Sequence, residues 1–342
     1  MKAAVLTQRG HEGLTVEQFE DPKPAPGEAV MKVHAASINH VDLYMRDSGA
    51  GISHELPLVL GVDGAGEIVE APQGSRLKPG DEVVLYPMAS CGRCRACEAG
   101  DQPNCSRFSI SGETRHGSFA EFIAMPEHCF VPKPDNLSFQ SAAALPVAYL
   151  TAWRMMFGKA PLQSAESVLI VGVGGGVAAA CLQMAKMIGA RTIVTSSSEE
   201  KLAWAANLGA DYGINYETDK VARQVMDITG GEGVDMVIDS VGESSWGESL
   251  RSLCRGGRLV TCGATTGGHP SADIQRLFAK QLAIYGSTMG SLEEFRQLLE
   301  ASRRKLIRPL IDTVFPLDDL TLGLDRLERA AQQGKLVVEV IG

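Results

Sequence analysis

Apolar positions follow two rhythms along this chain. From about residue 165 to 290, short β-branched runs alternate with longer stretches whose apolar residues recur every three or four positions, the pattern of strands alternating with amphipathic helices. Ser167 to Val171 (SVLIV) reads as a strand, and the apolar positions after Ala178 form a helix that stops at Gly189. Arg191 to Thr195 (RTIVT) reads as the next strand. Further strands are expected at 212–215, 236–242, 256–264 and 282–288, each closing near Gly, Ser or Thr. Alternation of this kind predicts an α/β fold with a doubly wound parallel sheet over 147–287. The flanking segments, 1–146 and 288–342, lie outside this run.

Between the first strand and its helix stands GVGGGVA, Gly172 to Ala178. Bare glycines at a strand-to-helix turn expose backbone N–H groups at a helix N-terminus, where a pyrophosphate can sit, so Gly172, Gly174, Gly175, Gly176 and Val177 are candidate dinucleotide ligands. Gly263, at the end of a later strand, offers a similarly close approach to the backbone. After the second strand an NAD site needs a carboxylate to accept from the ribose hydroxyls, whereas this chain has Thr195, Ser196, Ser197 and Ser198. Hydroxyls there, with Lys201 a turn later, suit the 2′-phosphate of NADPH. Ser198 also stands where an N-cap is needed for EEKLAWAANLG, and Glu199 and Glu200 leave NAD open.

A different chemistry is written in CGRCRACEAGDQPNC. Cys91, Cys94, Cys97 and Cys105 have the C-x2-C-x2-C-x7-C spacing that can wrap four thiolates around one tetrahedral ion. A zinc with four sulfur ligands has no open position, so the expected role of this lobe, about 88–108, is structural. The remaining cysteines, Cys129, Cys181, Cys254 and Cys262, read as buried thiols. Eight cysteines without a signal peptide or an apolar run of membrane-spanning length point to a reducing cytoplasm. A net charge of −9 argues against nucleic-acid or anionic-membrane partners.

PGEAVMKVHAASIN, GVDGAG, KPGDEVV, the cysteine lobe, HGSFAEF, the glycine turn and the GKLVVEV tail together resemble the medium-chain dehydrogenase/reductase superfamily over essentially the whole chain. The resemblance implies a Rossmann cofactor domain inserted into a GroES-like catalytic domain. It also implies a soluble homodimer or homotetramer, for which the apolar run LAIYGSTMG at the expected sheet edge offers a pairing surface. Zinc alcohol dehydrogenases of this superfamily hold a second, catalytic zinc. Here their ligand positions carry Asn39, Val62 and Val147, and the hydroxyl of their proton relay is replaced by Val41.

Asn39, Asp42, Tyr44 and Arg46 instead match the pattern of zinc-independent quinone oxidoreductases, as do Lys201 and Tyr216 on the phosphate side of the cofactor. Lys335 of the tail joins the expected cofactor-binding set. The resemblance thus implies NADPH-dependent reduction of a quinone or an α,β-unsaturated carbonyl, with Asn39 and Tyr44 as hydrogen-bond donors and His40 and Asp42 as further catalytic candidates. Such an acceptor spreads the incoming electrons onto its own oxygen, so donors can replace a Lewis acid. Two other readings stand beside it: an alcohol or polyol dehydrogenase with a metal site rebuilt around His40 and Asp63, and a weakly active nicotinamide-binding sensor. His116 and Tyr149 are read as structural.

Overall fold

The computed structural model describes residues 1–51 and 54–341. The chain divides into two compact units, Met1–Ala148 with Gly290–Gly342, and Tyr149–Met289. Among the described residues no helix is long and apolar enough to cross a membrane.

Strand Glu28–Ile38 is the spine of the first unit, pairing antiparallel with Asp63–Glu70, Phe122–Pro126 and Lys335–Glu339. The sheet around it continues through Glu82–Leu85 to Phe130–Pro132 on one side and to Ile311–Pro316 on the other. Met31, Val33, Ala36 and Ile38 are buried in one cluster with Leu60, Ile68, Leu85, Phe119, Leu320 and Leu324. Each fully buried valine, leucine, isoleucine, methionine or phenylalanine among them contributes about 1.5–3 kcal/mol. Helix Leu292–Arg303 is fixed at its start by a capping box, in which Ser291 Oγ accepts from the Glu294 N–H at 3.2 Å and Glu294 accepts from the Ser291 N–H at 2.6 Å. Its apolar face carries Phe295 onto buried Tyr86, whose hydroxyl donates to the Gly290 carbonyl at 2.7 Å.

In the second unit, parallel strands run in the order Tyr212–Asn215, Arg191–Ser196, Ser167–Ile170, Val234–Asp239, Leu253–Thr261, Ala283–Gly286. The order reverses beside Ser167–Ile170, so the crevice that a doubly wound sheet offers to ligands lies at the carboxyl end of that strand. Helices Gly176–Ile188 and Glu199–Asn207 begin and end where the glycine and serine signals place them. Gly189 takes the left-handed cap at φ 81°, and Ser198 Oγ accepts from the Lys201 N–H at 3.3 Å.

Two strands sit earlier than the sequence suggests. The fourth in chain order ends at Asp239 rather than Gly242, because the buried Asp239 carboxylate accepts from the N–H groups of Val241 and Gly242 at 2.9 and 3.0 Å and from the hydroxyls of Ser245 and Ser249 at 2.7 Å. That hub turns the chain into helix Glu243–Ser252. The fifth runs Leu253–Thr261 rather than from Gly256 to Ala264, and Thr261 Oγ1 closes the following turn on the Gly263 carbonyl at 3.3 Å.

Candidate functional site

The glycine turn has the shape a bound dinucleotide requires. Gly172 and Gly174 have φ of 74° and 123°, a region side chains avoid, and the turn is held from the next strand by Gly172 N–H to Thr195 Oγ1 at 3.1 Å and Val173 N–H to the Thr195 carbonyl at 2.8 Å. Gly175 is the N-cap of the helix, and Gly176 and Val177 open it. A Cβ on Gly174 would lie 2.8 Å from Cδ and 3.3 Å from Nζ of Lys201, so the lysine chain lies along the turn itself. On Gly263 a Cβ would meet the Ser240 carbonyl oxygen at 2.9 Å. Ser196 is buried at its strand end, with Oγ accepting from the Ser198 N–H at 3.2 Å, while Ser197 is exposed. Tyr216 is also exposed, and its N–H donates to the Ser196 carbonyl at 3.1 Å. Ser196 and Tyr216 thus meet at one end of the sheet, and Lys201 lies along the glycine turn. Among them Lys201 carries the positive charge.

In the first unit the residues expected to act on substrate form a buried polar knot. Asp63 is fully buried. Its Oδ2 accepts from Ser37 Oγ and Asn39 Nδ2, both at 2.7 Å, and from Lys335 Nζ at 3.4 Å, while its Oδ1 accepts from the Val147 N–H at 2.8 Å. Lys335, expected at the cofactor, belongs to this knot: its ammonium donates to Asn39 Oδ1 at 2.6 Å and to the Ile38 carbonyl at 2.8 Å. Burial pushes the Lys335 ammonium below its usual range, and Asp63 opposes that shift. The side-chain amide of Asn39 is therefore committed on both sides, its nitrogen to Asp63 and the Ser37 carbonyl and its oxygen to Lys335.

Asn39 caps helix His40–Asp47, and Asp42 reaches back to the Asn39 N–H at 2.7 Å. The other oxygen of Asp42 is buried and accepts no hydrogen bond. Loss of solvent, with a smaller push from Asp63, raises the Asp42 carboxyl to about 7. Because the folded value lies above the unfolded one, Asp42 stabilises the fold at low pH, and that contribution is lost as pH rises from about 4 through 7. Asp42→Asn is expected to flatten this part of the stability-versus-pH curve, measured by urea unfolding at pH 5 and 8; an unchanged slope would remove the assignment.

Near the knot, His40 makes no hydrogen bond or ion pair among the described residues, and burial, then the Lys335 charge, lowers its pKa. Tyr44 packs at the margin of the core. Arg46, only 2% exposed, bonds to Asp47 and Glu328. His116 accepts from the Val59 N–H through Nδ1 at 3.2 Å, and Tyr149 accepts from Gln183 at 3.0 Å. Among the described residues, no group of three or more metal-ligating side chains includes His40 or Asp63.

The four lobe cysteines do form such a group. Their sulfurs all lie within 4.8 Å of one another, with Cys94 to Cys97 at 3.5 Å and Cys91 to Cys97 at 3.9 Å. A zinc–sulfur bond of about 2.3 Å implies a tetrahedron edge of about 3.8 Å, so the donors fit a closed zinc site. Backbone N–H groups of Cys91 and Arg107 point at Cys105 Sγ at 3.5 and 3.4 Å, and the Arg93 N–H leads the shift that lowers the Cys91 thiol. In this site Cys91, Cys94, Cys97 and Cys105 would hold the ion and pin the loop around helix Arg95–Glu98.

Comparisons with known proteins cover both units of the chain. A family model for zinc-binding dehydrogenases matches residues 176–304, and one for the alcohol dehydrogenase GroES-like domain matches residues 25–135. The chain is 34% identical to an NAD-dependent alcohol dehydrogenase of Sulfolobus acidocaldarius, over 99% of this chain and 100% of that protein. It is 31% identical to an acryloyl-coenzyme A reductase of Metallosphaera sedula, over 99% of each. A crystal structure of an NAD-dependent alcohol dehydrogenase superposes with a TM-score of 0.96 at 39% identity, covering 100% of both chains.

Proposed function

The chain belongs to the medium-chain dehydrogenase/reductase superfamily, and from that premise we propose that it is a reductase that moves hydride from NADPH to a quinone or an α,β-unsaturated carbonyl without a catalytic metal. The observation that carries this reading is the closed knot around Asp63. Where metal-dependent relatives would place ligands stand Val62, Val147 and an Asn39 whose amide is bound to Asp63 and Lys335, and Val147 gives its own N–H to Asp63. A valine side chain has no lone pair to offer zinc. The acryloyl-coenzyme A reductase supports the choice of acceptor, since its named substrate is an activated alkene.

In this reading the reduced nicotinamide, when bound, supplies the hydride. The glycine turn binds the pyrophosphate and Lys201 the 2′-phosphate. Lys335 and Asp63 hold Asn39 and with it the start of helix His40–Asp47, and Tyr44 donates to the acceptor oxygen. His40 serves as the nearby proton carrier.

The deciding experiment measures NADPH oxidation with quinones, enones and aldehydes, and reduction of NAD+ or NADP+ with ethanol and polyols, each with and without a chelator. Chelator-insensitive turnover of a quinone or enone is expected. Chelator-sensitive oxidation of ethanol or a polyol, with every quinone and enone ignored, would overturn the reading in favour of a rebuilt metal site.

Cofactor choice has its own test. Lys201→Ala is expected to weaken NADPH by about 1–3 kcal/mol, the scale of a charge-assisted contact, and to leave NADH nearly unchanged. Equal losses in fluorescence titrations would make Lys201 a surface helix residue only.

The proposal includes a homodimer. Strand Ala283–Gly286 ends the parallel sheet with Ile284 and Tyr285 each 38% exposed, and helix Ile274–Lys280 shows Ile274 and Phe278 at 70%. Light scattering at micromolar concentration is expected to give at least twice the chain mass, and a monomer would refute this pairing.

A further inference from the structure

The first unit contains a cavity of about 640 Å³ that the proposed reaction does not use. Its size falls within the range of small-molecule sites. Segments 19–23, 113–116 and 122–124 form its walls, with Pro57, Leu58 and Met1. Phe19 and Phe122 give it aromatic surface, and Phe19 meets the ring of His116 edge to face at 5.3 Å.

Its charges are unequally matched. The lysine, arginine and terminal ammonium on the wall each have an acid: Arg115 pairs with Glu28, the Met1 ammonium with Asp21 at 2.7 Å, and Lys23 with Glu20 at 3.6 Å, while His54 Nδ1 meets the Arg9 guanidinium at 2.9 Å. Loss of solvent lowers the pKa of His116, and its Nδ1 accepts from the Val59 N–H, which places the ring proton on Nε2. Glu113 is different. Half-buried on the cavity wall, its carboxylate makes no hydrogen bond or ion pair among the described residues. Burial raises its pKa, the mark of a charge that has lost solvent without gaining a partner.

We propose that this cavity is a binding site for a small organic ammonium ion, with Glu113 as the counter-charge and Phe19 and Phe122 as the apolar and cation–π walls. An anion would face an unpaired carboxylate, and Arg115, Lys23 and the Met1 ammonium are already paired with acids. A metal ion would find too few donors, since Glu113 and the free nitrogen of His116 fall short of the three or more that a site needs. An ammonium joined to an apolar body satisfies both features of the wall.

The test titrates benzylammonium chloride into the full-length, zinc-loaded protein, followed by backbone amide NMR, against sodium chloride at equal ionic strength. Saturable shifts confined to 19–23, 113–116 and 122–124 are expected. Glu113→Gln should weaken binding about tenfold or more, the scale of one charged hydrogen bond, with an unchanged melting temperature. Glu55→Gln, at an exposed lining residue, should change it less than about threefold. Shifts that never saturate, shifts reproduced by sodium chloride, or an affinity unchanged in Glu113→Gln would each overturn the proposal. Displacement of the amine by zinc or magnesium chloride alone would also overturn it and make the cavity a metal site.

Discussion

Replacing Asp63 with alanine should destabilise the first unit by about 3–5 kcal/mol, the cost of leaving a buried ion without its partner. The carboxylate receives four hydrogen bonds, from Ser37, Asn39, Lys335 and Val147, with no access to solvent. Its removal strands the Lys335 ammonium, itself 3% exposed, together with the Ser37 hydroxyl and the Val147 N–H. Adding Lys335→Met to Asp63→Ala should recover much of the loss, because the uncompensated charge is then gone. Urea unfolding of the two single variants and the double variant forms the required cycle. If Asp63→Ala stays within about 1 kcal/mol of the parent, or if Lys335→Met adds its full cost, the knot is not a coupled unit.

Removal of the zinc should produce a comparable loss by a different route. The four cysteines span 91 to 105, and the lobe between them holds only a four-residue helix and a single 3-10 turn. Such a segment has too little apolar surface to order itself, so metal binding serves as its folding energy. Elemental analysis should give about one zinc per chain, with two per chain contradicting the proposed chemistry. Cys97→Ser should lower the metal content and the thermal midpoint together. Turnover measured at 25 °C on the protein that remains folded should change less than about tenfold, since a closed four-sulfur site offers the substrate no coordination position. A loss of turnover that outruns the loss of structure would make the lobe part of the chemistry.

The second unit was legible because its signals are local. A glycine turn, a serine before a helix and a glycine after one act within a few residues, and the strand-helix rhythm decides which sheet they belong to. Where the expectation slipped, at Asp239 and Thr261, a side chain ended a strand that the apolar pattern would have continued. The cysteine lobe was legible for the same reason, its ligands lying within one loop. In the first unit, Asn39, Asp42 and Asp63 could be picked out from their segments, but the place of Lys335 among them could not. Lys335 shares no local pattern with them, and no periodicity announces that strand Lys335–Glu339 will pair with Glu28–Ile38. The commitment of the Asn39 amide, which changes what that residue can offer a substrate, follows from this distant pairing alone.

That pairing also sets an order of events on the ribosome. Asn39 and Lys335 are separated by 296 positions, so the lysine leaves the exit tunnel long after the asparagine. At about 5–20 residues per second, the interval is roughly 15–60 s. During it a nascent chain holds a buried-to-be Asp63 without its cation and an unpaired edge on Glu28–Ile38, while the whole of Tyr149–Met289 is made and is free to fold first. The vulnerable species in biosynthesis is therefore a half-finished first unit attached to a finished second one, and a chaperone that shields a strand edge would have its substrate there.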